Sequence, residues 1–159
     1  MNKLIAVTIG DIKGIGIYLL LDNWKKNKIK NFILVCNIDI IKRYIKKNKI
    51  KANLNITNLN DKKIKYSHKY LNIFTYLCDN HEENTYKSLQ FAHELCIKKK
   101  CIGIVTLPLR KDLIKKKIDK NFIGHTEFFQ NLEKRENSNM ILYHKKIIIS
   151  PLTTHISIK

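Results

Sequence analysis

The sequence predicts an α/β protein with a mostly parallel sheet flanked by helices. Short β-rich apolar runs at Leu4–Ile9, Phe32–Cys36 and Ile102–Thr106 read as buried strands. Stretches with helical spacing lie between them. Turn residues Gly10, Gly14, Gly16 and Pro108 stand where the runs stop. Strands alternating with helices favour parallel pairing.

The elements follow in order. Leu4–Ile9 is the first strand. A glycine-rich turn from Gly10 to Gly16 leads into a helix expected over Ile17–Trp24. Phe32–Cys36 is the second strand. Residues 39–47 carry apolar side chains at 40, 41, 44 and 45 with lysines between, which predicts a helix. Leu54–Thr57 and Leu71–Thr75 are short β-like pieces in a polar region. Glu82–Lys100 is the clearest helix, with Leu89, Ala92, His93 and Cys96 on one face and three closing lysines suited to a helix C-terminus. Ile102–Thr106 is a strand, Arg110–Lys117 a helix, and Gly124 opens another. Met140–Tyr143 and Lys146–Ser150 form a hairpin or two neighbouring strands. Leu4, Ala6, Ile33, Leu34, Val35, Leu89, Ala92, Ile104 and Val105 are the expected core.

Length and composition bound the rest. The chain has 159 residues, enough for one domain or for a full domain plus the start of another. The expected division is 1–123 as a first α/β domain and 124–159 as the start of a second. Apolar residues at 44% exclude a disordered tail. The net charge is +18, but Lys supplies 28 of the 31 basic residues and Arg only three. Lys, Ile and Asn account for 72 of the 159 residues, spread over every segment. Such a bias binds nucleic acid only non-specifically. The four cysteines make no C-x-x-C and read as free thiols. The longest nearly apolar stretch, Ile15–Leu21, is far short of the roughly 20 residues a membrane span needs. The expectation is a soluble cytoplasmic protein without a signal peptide.

Four segments can carry chemistry. Gly10-Asp-Ile-Lys-Gly-Ile-Gly16 is either an anion cradle of backbone N–H groups or simply a tight strand-to-helix turn. Thr106-Leu-Pro-Leu-Arg-Lys111 sits at the carboxyl end of a strand, where Arg110 or Lys111 can hold a phosphate or carboxylate. Gly124-His-Thr-Glu127 places a His and a hydroxyl at a helix start, suited to an anionic or polyhydroxylated ligand. Thr153-Thr-His155 places a His just past a strand, where it is either a metal ligand or a plain loop residue.

The order of these segments resembles the 4-hydroxythreonine-4-phosphate dehydrogenase family of pyridoxal phosphate biosynthesis. The resemblance runs from Ile5-Ala-Val-Thr-Ile-Gly-Asp with Gly14-Ile-Gly16, through Ile104–Lys111, Gly124–Phe128 and Met140-Ile-Leu, to Thr153–Ile156. It implies an isocitrate/isopropylmalate dehydrogenase-like α/β fold. It implies an enzyme that uses NAD to oxidise 4-hydroxy-L-threonine 4-phosphate, with decarboxylation. It implies a divalent metal (zinc, magnesium or cobalt) acting as Lewis acid. By the same resemblance His125 and Thr126 bind substrate and His155 is one metal ligand. The resemblance extends only to the N-terminal half of such enzymes, which implies a truncated or split chain, inactive alone. Its partner is then a second copy in a homodimer or a separate chain that supplies the rest. The alternatives are a related 4-phospho-sugar-acid (threonate 4-phosphate) dehydrogenase and a non-catalytic remnant or partner-binding domain.

Overall fold

A computed structural model describes residues 4–58, 66–67, 69–136 and 138–151. These residues group into two compact units divided between Phe122 and Ile123.

The first unit is built on five parallel strands. They are β1 (Ile5–Thr8), β2 (Phe32–Val35), β3 (Leu54–Thr57), β4 (Leu71–Phe74) and β5 (Gly103–Val105), in the spatial order β3-β4-β2-β1-β5. Registers such as Ala6↔Ile33, Leu34↔Ile73 and Ala6↔Ile104 align the central strands. Helices α1 (Ile15–Lys25), α2 (Ile38–Lys47), α3 (His81–Ile97) and α4 (Lys111–Lys117) connect or follow them.

Two core clusters explain why the central strands are mostly apolar. Alternate side chains point to opposite faces of a sheet. Val7, Phe32, Leu34, Cys36, Leu71 and Ile73 pack with Ile17, Leu20 and Leu21 of α1 and Ile40 and Ile41 of α2. Ala6, Ile33, Val35 and Phe74 pack on the other face with Ala92 and Leu95 of α3. A strand covered on both faces keeps no polar side. The expected core residues Leu4, Ala6, Ile33, Leu34, Val35, Leu89 and Ala92 are all buried. Ile104 and Val105 correct the expectation. Ile104 is only half-buried, and Val105 is 47% exposed. They lie on β5, the last strand of the sheet among the described residues, where the helical layers cover less.

The helix ends follow local chemistry. Asn37 caps α2, its side-chain oxygen accepting from the N–H groups of Asp39 and Ile40. Asn80 caps α3 by accepting from Glu83 N–H at 2.9 Å, while the Glu83 carboxylate accepts from Asp79 N–H at 2.7 Å. Helices α1, α2 and α3 close on left-handed residues Asn27, Lys49 and Lys99, a position usually held by Gly.

The second unit holds α5 (His125–Leu132) and an antiparallel hairpin of β6 (Leu142–His144) and β7 (Ile147–Ile149). The apolar side chains of Ile147, Ile148 and Ile149 are exposed, at 59%, 66% and 54%.

Burial also sets a pH response. It pushes the Cys101 thiol up to about 12, and raises the Cys36 thiol and the Tyr76 phenol well above their ordinary ranges. A group whose pKa is raised by folding contributes stability below its unfolded pKa and loses it as pH climbs through the raised value. The denaturant midpoint should therefore stay flat from pH 6 to 8. It should fall by pH 10, as unfolding free energy drops by about 1–2 kcal/mol for each buried thiol. Urea melts across that range check this, and a midpoint at pH 10 equal to that at pH 7 would contradict it.

Candidate functional site

The strand β1 delivers the chain into the turn at Gly10, and packing shapes that turn. Gly10 has φ +61°, and a Cβ there would stand 2.5 Å from the Pro108 carbonyl oxygen. A Cβ on Gly16 would stand 2.9 Å from Pro108 Cδ. Both glycines are needed because the loop after β5 presses against this turn. Asp11 N–H donates to Pro108 O at 2.8 Å, and Thr85 Oγ1 donates to Gly10 O at 2.8 Å. Lys13 N–H donates to the Asp11 side chain and Gly14 N–H to Asp11 O, both at 2.9 Å. The N–H groups of residues 11, 13 and 14 are thus satisfied inside the protein. The tight-turn reading of this segment holds, and those three groups do not cradle an anion.

Two clefts open beside the turn, at the carboxyl end of the sheet where open α/β folds bind ligands. The smaller, about 310 Å³, is lined by Asp11, His81, Glu82, Thr85 and Arg110 among others. Its charges are largely spoken for. Arg110 is held by Asp112, with Nε at 3.2 Å and Nη2 at 2.5 Å from the carboxylate oxygens. Lys117 Nζ lies 2.6 Å from Glu82 and keeps that carboxyl below the usual range, hence ionised. Arg110 therefore faces a carboxylate already, and Lys111 is an exposed first residue of α4.

The larger cleft, about 460 Å³, shares Ile12, Lys13 and His81 with the smaller. Its other wall is one face of α2, carrying Ile40, Arg43, Tyr44 and Lys47. Among the described residues no carboxylate lines it. Sequence reasoning missed these residues, because a Lys-rich background hides any one basic residue. The spacing of 40, 43, 44 and 47 is the signal that could have found them, since it places all four on one helix face.

In the second unit His125 is the first residue of α5 and is half-buried, and Thr126 beside it is exposed. Gly124 precedes them as N-cap without a side chain to offer the helix. His155 lies outside the described residues. Among the described residues no group of three or more His, Cys, Asp or Glu side chains can hold a metal ion. No described helix is long and apolar enough to cross a membrane.

Comparison with known proteins gives a consistent set. The family model described as "Pyridoxal phosphate biosynthetic protein PdxA" matches residues 28–159. The 4-hydroxythreonine-4-phosphate dehydrogenase of Wigglesworthia glossinidia brevipalpis is 31% identical over 171 aligned residues, covering 100% of this chain and 51% of that protein. A crystal structure of 4-hydroxythreonine-4-phosphate dehydrogenase from Klebsiella pneumoniae superposes with a TM-score of 0.81 at 22% identity, over 98% of this chain and 52% of that one. The corresponding Burkholderia phymatum structure gives 0.78 at 19% identity, over 99% and 51%. These structural likenesses establish the shared α/β fold. The chain spans about half the length of the relatives it matches.

Proposed function

The chain belongs to the PdxA family of pyridoxal phosphate biosynthetic proteins, and from that premise we propose that it carries part of the active site of an NAD-dependent dehydrogenase for 4-hydroxy-L-threonine 4-phosphate. The observation that carries this is the family match across residues 28–159, which includes the Gly124-His-Thr-Glu127 segment. His125 and Thr126 offer an imidazole and a hydroxyl at the first turn of α5. These groups suit a phosphorylated hydroxy amino acid, because the helix start adds N–H donors and positive potential for an anionic group. His155 is the proposed metal ligand from this chain. A metal ion held through protein side chains needs about three of them, and the described residues supply no such group. NAD, when bound, supplies the acceptor for the hydride leaving the substrate carbinol.

Since the chain spans about half of its relatives, turnover is proposed to need what the unmatched part of those proteins provides. Residues 1–123 are proposed as the first domain and 124–159 as the start of the next, in a cytoplasmic protein.

Calorimetric titration of the purified chain with 4-hydroxy-L-threonine 4-phosphate tests the reading. A hydrogen bond to a charged group contributes about 1.5–3 kcal/mol, so His125→Ala should weaken binding by roughly ten- to a hundredfold. Thr126→Ala should weaken it by somewhat less. Both variants are expected to keep the wild-type melting temperature. Unchanged affinity in both would remove His125 and Thr126 from the substrate site.

A further inference from the structure

We draw no further inference here: the strongest candidate, the exposed apolar surface that Leu142, Tyr143 and Ile147–Ile149 form on the β6–β7 hairpin, carries nothing because nothing in the structure shows what covers it.

Discussion

Gly10→Ala should be among the most damaging single substitutions in this chain, while Gly103→Ala should be nearly silent. A side chain at φ +61° costs about 1–2 kcal/mol from backbone sterics alone. The new Cβ would also meet Pro108 O at 2.5 Å and Leu107 Cβ at 2.9 Å. Neither neighbour can give easily. Pro108 O accepts from Asp11 N–H at 2.8 Å, Leu107 N–H donates to Thr8 Oγ1 at 3.3 Å, and Gly10 O is held by the buried Thr85 hydroxyl. Moving the loop therefore breaks bonds that satisfy buried groups, at about 1–3 kcal/mol each. A total of roughly 3–5 kcal/mol is a large share of the roughly 5–15 kcal/mol that stabilises a domain. For a chain of this size it lowers the melting temperature by about 10 °C or more. A Cβ on Gly103 meets nothing within 4 Å, so Ala there should change stability by less than about 0.5 kcal/mol. Thermal melts of the two variants decide it, and similar melting temperatures would discard the account of the turn. The same substitution should loosen the clefts beside the turn, since Asp11 and Lys13 line them.

Gly10 also shows how far the sequence could be read. Its place after an apolar run announced a turn, but not whether the turn served an anion or a neighbouring loop. That question depends on Pro108, nearly a hundred residues away, and no local pattern contains it. The central strands were readable because burial on both faces leaves β1, β2 and β4 without polar alternation. Val105 was misplaced because an apolar residue looks the same on a central strand and on the last one. Helix α2 was readable from its apolar spacing, yet its cationic face was not. Arg43 and Lys47 share a cavity with Lys13 only because the β1–α1 turn folds beside α2. His125 and Thr126 were found by their order among other segments, a signal independent of three-dimensional packing.

The other large effect is expected at Asn37, which ties α2, the exit of β4 and the start of α3 together. Its side-chain oxygen accepts from Asp39 N–H at 3.0 Å and Ile40 N–H at 3.1 Å. Its amide donates to Tyr76 O at 2.9 Å, and its own N–H donates to Asn84 Oδ1 at 2.8 Å. The Tyr76 hydroxyl donates toward Asn84 O and Oδ1, at 2.6 and 2.9 Å. Asn37, Tyr76 and Asn84 are all buried, so water cannot replace a missing partner. Asn37→Ala removes a helix cap, at about 1 kcal/mol, and strands the Tyr76 carbonyl, at about 1–3 kcal/mol. The expected loss is about 2–4 kcal/mol. Asn37→Ser can keep the cap while losing the bond to Tyr76, so it should cost about half as much. Asn37→Asp retains the cap but turns an oxygen toward the Tyr76 carbonyl and buries a charge, so it should cost at least as much as Ala. Burial alone would rank the three by lost volume, with Asp the mildest. Denaturant unfolding of the three variants separates the accounts. An Asp variant as stable as wild type would show that the amide bond to Tyr76 contributes little and that capping carries the position.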